Sequence, residues 1–147
     1  MPAGLTDCVL IVEDNADCAL SLLLLLEARG ARAIVAPDGP EGVRLGLELR
    51  PRAAVIDIGL PGCDGYEVCR RLRAALGAGA LLVAHTAYAG GETPRRAREA
   101  GFDELLYKPS EPAELLRVLL SHRVSHQPRN EGPGCLEPAA PEQGSLF

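Results

Sequence analysis

The stretch that decides the fold is Ala53-Ala54-Val55-Ile56-Asp57-Ile58-Gly59-Leu60-Pro61-Gly62-Cys63-Asp64-Gly65. Its first four residues form a continuous apolar run, which is typical of a short strand buried on both faces. A loop rich in glycine and proline follows, and one carboxylate, Asp57, stands between strand and loop. Open α/β sheets bind their ligands at the carboxyl ends of such strands. Asp57 is therefore the first candidate for a functional residue.

Three further apolar runs end in polar residues of a chemically related kind. They are Glu13 and Asp14 after residues 9–12, Thr86 after residues 81–84, and Lys108 after residues 105–107. Because the carboxyl ends of parallel strands meet at one edge of a sheet, these positions would bring three carboxylates, one hydroxyl and one ammonium together. That combination predicts a site for a cation and a phosphoryl group.

Strand and helix patterns alternate strictly along the chain. Strands are predicted at 8–12, 31–35, 53–57, 81–84 and 104–106, and helices at 15–29, 40–49, 65–76, 94–100 and 111–122. Capping residues, Pro40 at a first turn and Gly101 after a last turn mark several helix ends. Five βα units predict an α/β fold, with a parallel sheet covered by helices on both faces.

Composition limits the function classes. A chain of 147 residues with 47% hydrophobic residues can bury one core. The net charge of −5 and the five aromatic residues argue against direct nucleic-acid binding. No apolar run has the length of a membrane span, and residues 1–4 lack the features of a signal peptide, so we expect no membrane insertion and a cytoplasmic location. The five cysteines show no disulfide or zinc pattern.

Residues 124–147 differ from the rest of the chain. They are rich in proline and glycine and have no apolar period. Such a segment cannot bury enough surface to offset its ordering entropy, so we predict a disordered tail after a domain at residues 5–123.

The acidic residues indicate a particular metal. A lone carboxylate repels an incoming phosphate, and a divalent cation that binds both groups removes this barrier. Glu13, Asp14 and Asp57 offer the all-oxygen ligands suited to Mg²⁺. A helix cap would explain an isolated acidic pair at 13–14, but it does not explain why Asp57 shares the same edge. Lys108, read as more than a solvated turn lysine, would neutralise acceptor or phosphoryl charge.

The chain resembles the receiver domains of two-component response regulators over about residues 5–123. The resemblance is carried by Val9-Leu10-Ile11-Val12-Glu13-Asp14-Asn15, by residues 57–66, by His85-Thr86-Ala87, by Gly101-Phe102-Asp103 and by Lys108-Pro109-Ser110. It implies a flavodoxin-like, doubly wound sheet of five strands with five helices. The wording around Asp57 and Gly101 is most similar to receivers of, or partnered with, hybrid sensor kinases.

The resemblance also implies a role for each site residue. Asp57 would be the phosphoacceptor, and Asp14 a direct Mg²⁺ ligand. Glu13 would act on the metal through water, and Gly59 would offer a backbone carbonyl. Thr86 and Lys108 would hold the phosphoryl group, with a cis peptide at Lys108-Pro109.

The implied partner is a sensor histidine kinase or a histidine phosphotransfer protein. On this reading the chain is a single-domain response regulator, monomeric or weakly dimeric, without a DNA-binding output domain. It is not an enzyme beyond promoting its own phosphotransfer and a slow autodephosphorylation. A receiver module of a hybrid sensor kinase and a phosphorylation-independent interaction module are the alternatives. A hydrolase of the haloacid dehalogenase class is disfavoured, because that class places a second Asp two residues after its nucleophile.

Two features of the sequence depart from the expected pattern, that of the family at Leu105 and that of an amphipathic helix in helix one. Receivers usually carry an aromatic or His side chain three residues before the site lysine, whereas this chain has Leu105, so the usual relay between threonine and aromatic is in doubt. Helix one contains five consecutive leucines, Leu22–Leu26, which one helical face cannot bury. We expect an exposed member, Leu22 or Leu25, to form a docking surface for the histidine donor.

Overall fold

The chain folds into one five-stranded parallel sheet with helices on both faces. The computed structural model describes residues 8–60, 63–87 and 90–126. The strands are β1 (Cys8–Val12), β2 (Arg32–Ala36), β3 (Ala53–Ile56), β4 (Leu81–Thr86) and β5 (Glu104–Tyr107), in the sheet order β2-β1-β3-β4-β5. The helices are α1 (Ala16–Ala28), α2 (Gly39–Leu49), α3 (Gly65–Leu76), α4 (Thr93–Ala100) and α5 (Pro112–His126). This is the doubly wound, flavodoxin-like arrangement that the sequence predicts.

The differences from the predicted boundaries are small. β2 lies one residue later than predicted, β4 continues through His85 to Thr86, and α5 continues to His126. By its internal contacts the chain divides into Met1–Leu116 and Arg117–Phe147, a boundary within α5. The tail predicted for residues 124–147 lies, beyond His126, outside the described residues. No helix within those residues is long and apolar enough to cross a membrane.

Side-chain caps and backbone turns define where the helices begin and end. Asn15, Asp38 and Asp64 each accept a hydrogen bond from the backbone N–H three residues later, at 2.9 Å, and thereby start α1, α2 and α3. Gly101 ends α4 with φ at 113°, a left-handed conformation that glycine adopts without a Cβ penalty. The three amino-terminal caps mark where helices begin, and Gly101 marks where the chain turns back toward β5.

The main core lies between the sheet and α2, α3 and α4. Alternate residues of the strands face it, because side chains alternate across a sheet. They pack against apolar side chains of the three helices; the buried cluster includes Leu10, Val12, Ala54, Ile56, Leu82, Ala84, Val43, Val68, Leu72, Ala97 and Phe102. The other face of the sheet is covered by α1 and by the start of α5, with Leu22, Leu26 and Leu115 buried there.

Arg73 on α3 joins two connections of the chain at the amino end of the sheet, α3 to β4 and α4 to β5. Its guanidinium donates to the carbonyl oxygens of Gly77, Ala80 and Gly101 and to the carboxylate of Asp103 at 2.7 Å. The same Asp103 oxygen accepts the backbone N–H of Leu82 at 2.9 Å. Arg73 therefore ties the entrance of β5 to the entrance of β4.

Gly65 is the residue at which α3 passes closest to the strand that carries Asp57. A Cβ there would lie 2.4 Å from the carbonyl oxygen of Asp57 and 2.6 Å from Cα of Ile58. Because both atoms belong to the backbone, they cannot move aside as the end of a side chain can. We expect Gly65→Ala to lower the free energy of unfolding by about 2 kcal/mol in urea titrations.

Gly91→Ala is the matched control, since a Cβ at that exposed position meets nothing within 4 Å. Equal stability of the two variants would show that the contact between Gly65 and the Asp57 backbone is not a constraint on the fold.

Candidate functional site

Three carboxylates meet at the carboxyl edge of the sheet. Asp57 follows β3 and donates its backbone N–H to the carbonyl of Val12, and Glu13 follows β1 and donates its own to Ala36, at 2.9 and 3.0 Å. These bonds continue the strand pairing by one residue, so the two acids are neighbours by construction. One carboxylate oxygen from each of Glu13, Asp14 and Asp57 lies within 4.8 Å of the others. The sequence expectation that these residues share one edge is thus met in their placement.

The three acids differ in their exposure to solvent. Glu13 and Asp57 are buried, whereas Asp14 is exposed. Burial raises the pKa of Glu13; the hydrogen bond from Lys108 opposes this rise, and the negative charge of Asp57 adds to it. The pKa of Glu13 stays above its ordinary value because burial and the charge of Asp57 outweigh Lys108 and the hydrogen bond from the Asn15 backbone.

Lys108 reaches the acids from the end of β5. Its Nζ donates to Glu13 Oε1 at 2.8 Å and to Asp57 Oδ2 at 3.4 Å, across 95 and 51 residues of chain. Burial alone would lower the pKa of Lys108, but the hydrogen bond to Glu13 and the charges of Asp57 and Glu13 raise it above its ordinary value. The side chain is consequently an ammonium held against two carboxylates.

Gly59 and Thr86 lie at the same edge with different contacts. The backbone N–H of Gly59 donates to Asp57 Oδ1 at 3.2 Å, which orients the carboxylate from the loop side. Thr86 is buried at the end of β4, and its backbone carbonyl accepts the N–H of Lys108 at 2.8 Å. The peptide between Lys108 and Pro109 is cis, as the family resemblance implied. Pro61 and Gly62 of the same loop lie outside the described residues.

Leu105 occupies the position for which the family resemblance implied an aromatic or histidine side chain. It is partly buried and packs against the main core, while Tyr107, two residues later, is exposed. Leu105 therefore contributes to the core, and the ring of Tyr107 faces solvent.

The prediction for the exposed leucine of α1 is wrong in the case of Leu22. Leu22 is buried at 7% exposure and Leu25 is partly buried, whereas Leu20 and Leu24 are exposed at 51% and 56%. The helix turns Leu22 toward the sheet together with Leu26, since the two are four residues apart and share a face. Leu20 and Leu24 form the opposite strip.

A cleft of about 750 Å³ opens beside Lys108, between α1 and the connection from β5 to α5. Apolar side chains from both elements line most of it, with polar groups at the end near the acids. Its lining includes Leu22, Leu25, Pro112 and Leu115, and also Asn15, His85, Lys108 and Ser110. The two leucines named from the sequence thus border the site, although neither forms an exposed strip.

The contact between His85 and Ser110 was not predicted, although both residues belong to the motifs that carry the family resemblance. His85 Nε2 lies 2.9 Å from Ser110 Oγ, and the imidazole is 5% exposed. Burial lowers the pKa of His85, and the positive charge of Lys108 lowers it further, against the opposing effect of Asp57. A histidine within a buried strand, directly before Thr86, was the available signal.

Comparison with known proteins gives a consistent result. The model of the response regulator receiver domain matches residues 9–120. A 14.6 kDa uncharacterized protein of Leptolyngbya boryana is 35% identical over 122 residues, which are 82% of this chain and 92% of that protein. The DNA-binding response regulator MtrA of Mycolicibacterium paratuberculosis is 35% identical over 108 residues, 74% of this chain. The chain spans 47% of the length of that regulator.

A solved structure shows the same fold with a metal. The receiver domain of the sensor histidine kinase PA1611 from Pseudomonas aeruginosa PAO1, with a magnesium ion coordinated in its active-site cleft, superposes with a TM-score of 0.70 at 32% identity, covering 78% of this chain and 95% of that one. The family match covers most of the chain, and the sheet order agrees with it. The chain belongs to the response regulator receiver domain family of two-component systems.

Proposed function

We propose that this receiver accepts a phosphoryl group on Asp57 from the phosphohistidine of a sensor histidine kinase or of a histidine phosphotransfer protein. The observation that carries the proposal is the placement of Asp57 beside two further acids and 3.4 Å from Lys108 Nζ. In the transfer the P–N bond of the donor breaks, and its electron pair stays on the imidazole nitrogen. A new P–O bond forms to a carboxylate oxygen of Asp57.

The acids fit a magnesium ion. The ligand atoms are all oxygens, and the exposed Asp14 leaves one side of the cluster open to the water molecules that Mg²⁺ retains. Burial and the repulsion from Asp57 raise the pKa of Glu13, so a bound cation would relieve the cluster. Asp14 and Asp57 would be direct ligands, Glu13 would act through water, and the Gly59 carbonyl would complete the protein ligands. When bound, the ion supplies positive charge that lets a phosphoryl group approach the carboxylates. The magnesium in the PA1611 receiver supports this assignment.

The protein groups around Asp57 supply the remaining charge and orientation. The Lys108 ammonium, held by Glu13, is within reach of a phosphoryl oxygen on Asp57 and would neutralise it. The Gly59 N–H orients the acceptor, and the Thr86 hydroxyl would donate to a second phosphoryl oxygen. The chain thus acts as a signalling phosphoacceptor, which we place in the cytoplasm. A stand-alone regulator and a receiver module of a hybrid kinase would both use this step.

Magnesium should stabilise the metal-free protein, because it binds the assembled acids and not the unfolded chain. At tenfold excess over its dissociation constant the gain is about 1.4 kcal/mol, or roughly 4 °C in Tm for a domain of this size. Asp14→Ala should lose most of the shift in thermal melts, whereas Asp17→Ala, an exposed acid one turn further along, should keep it. Identical shifts in the two variants would contradict the assigned ligands.

Small phosphodonors should label the protein once, and only with a divalent cation. Incubation with acetyl phosphate and Mg²⁺ should add one phosphoryl group to the intact mass, since the acceptor is built into the fold. Asp57→Asn and excess chelator should each abolish labelling. Asp64→Asn is the matched control, because asparagine still caps α3. Undiminished labelling of Asp57→Asn protein would refute Asp57 as the acceptor.

The cleft beside Lys108 is the surface we assign to the donor. It is continuous with the site through Lys108 and Asn15, and its apolar walls suit the side of a helix that carries the donor histidine. This assignment replaces the exposed leucine strip expected from the sequence. Leu25 is its most suitable probe, because it lines the cleft and is only partly buried.

Leu25→Ser should slow transfer from the phosphohistidine donor by about tenfold, since apolar contact in the docked complex is lost, and leave labelling by acetyl phosphate unchanged. Leu24→Ser, on the exposed strip outside the cleft, should transfer normally. The measurement is the rate of phosphoryl loss from the donor. Slower transfer in Leu24→Ser than in Leu25→Ser would move the docking surface to the opposite strip.

A further inference from the structure

His85 occupies an unusual place for a histidine. It lies in β4, pairs in register with Leu106 of β5, and faces the cleft that apolar side chains of α1 and α5 also line. A leucine would fill such a position without desolvating a polar ring. Among the described residues, Nε2 has one partner, the Ser110 hydroxyl at 2.9 Å, and the buried Nδ1 has none. The imidazole is therefore retained at a cost in solvation.

The contact secures the segment that carries the lysine. Two consecutive residues of β4 hold Lys108-Pro109-Ser110 at both ends: the Thr86 carbonyl accepts the Lys108 N–H at 2.8 Å, and His85 bonds Ser110. Lys108 is the first residue of this segment, and its Nζ must span to Glu13 and Asp57 at 2.8 and 3.4 Å. Small displacements of its backbone would change both distances.

We propose that His85 is a positioning residue, which acts through Ser110 to hold the Lys108 ammonium at the distance from Asp57 that phosphoryl transfer needs. The inference rests on the proposed phosphoacceptor function. His85 is not assigned contact with the phosphoryl group. His85 fixes the Ser110 end of the lysine segment. With the Thr86 carbonyl alone, the segment would be held at Lys108 and could pivot there.

The hydrogen-bond pattern selects one form of the ring. A buried acceptor without a partner costs less than a buried N–H without one, so the hydrogen belongs on Nε2 and Nδ1 carries the lone pair. Nε2–H then donates to Ser110 Oγ. Burial and the nearby Lys108 keep the ring neutral by lowering its pKa.

The kinetic test uses the full chain with acetyl phosphate and saturating Mg²⁺. His85→Leu and Ser110→Ala should each lower the labelling rate at saturating donor by about tenfold, with the half-saturating donor concentration unchanged, because the lysine acts on the charge that develops during transfer. The double variant should be no slower than either single variant, since both remove one contact.

Two conservative variants separate positioning from packing. His85→Gln places an amide N–H near the position of Nε2 and should restore most of the rate. His85→Asn places its amide near Nδ1 and should not. Rates that follow melting temperature across the four single variants, with Gln no better than Asn, would overturn the proposal. Ser110 is only half-buried, so Ser110→Ala keeps the test decisive even where a His85 variant fails to fold.

A measurement without phosphodonor separates this inference from the proposed function. Nitrogen-15 NMR of the histidine rings should show His85 protonated on Nε2 in the wild type, and exchange of the Lys108 amide hydrogen should accelerate at least several-fold in Ser110→Ala. The positioning role alone would be overturned if the wild type is labelled while Ser110→Ala has an unchanged labelling rate and an unchanged exchange rate of the Lys108 amide. Absence of labelling in the wild type would overturn the proposed function, and the exchange data would still decide whether His85 and Ser110 secure the segment.

Discussion

Like charges held at one edge of a parallel sheet are the constraint on which the structure depends. The pairing of β1 with β3 places Val12 beside Ile56, so the next residue of each strand, Glu13 and Asp57, must be neighbours. Two carboxylates with little access to water repel each other strongly. Both can stay ionised there only if positive charge reaches the same edge. Lys108 brings part of that charge from the end of β5, two places from β3 and three from β1 in the sheet.

The ion pair with Lys108 is shared unequally. Nζ is closer to Glu13, at 2.8 Å, than to Asp57, at 3.4 Å, and Glu13 Oε2 also accepts the N–H of Asn15 at 3.3 Å. Within the part of the chain that the structure describes, each carboxylate accepts one backbone N–H and also contacts the ammonium, and the two differ mainly in the distance to that ammonium. The carboxylate farther from the ammonium is the one at which bond formation is proposed. This difference fits a division of labour in which Glu13 holds the cation and Asp57 reacts.

Most of the architecture follows from patterns that are local in the sequence. Buried parallel strands appear as apolar runs, and Asp38, Asp64 and Gly101 stand at helix ends for reasons that each residue carries in itself. The convergence of Glu13, Asp14, Asp57 and Lys108 could also be predicted, because the carboxyl ends of parallel strands always share an edge. The sheet order and the family match agree with that reasoning.

Other features depended on how elements pack, which a single sequence does not encode locally. Five consecutive leucines fit several rotations of α1 about its axis, and only contact with the sheet selects the one that buries Leu22 and exposes Leu24. His85 and Ser110 are 25 residues apart, and no sequence pattern indicates that their side chains meet. The preference of Lys108 for Glu13 over Asp57 is likewise a matter of tenths of an ångström.

Hydrogen bonds hold both ends of β5. Arg73 and Asp103 make them at its start, and Thr86 and His85 make them at its end. Together they constrain the length of the chain between them. β5 has four residues at the edge of the sheet, where a strand has only one neighbour to fix its register. A slip of one residue would carry Lys108 about 3.3 Å along the sheet and turn its side chain to the opposite face. Because both ends are held, residues 101–110 must keep a fixed length. Insertions are therefore easier to accommodate in the exposed loops that join the helices to the sheet elsewhere in the chain than within these ten positions.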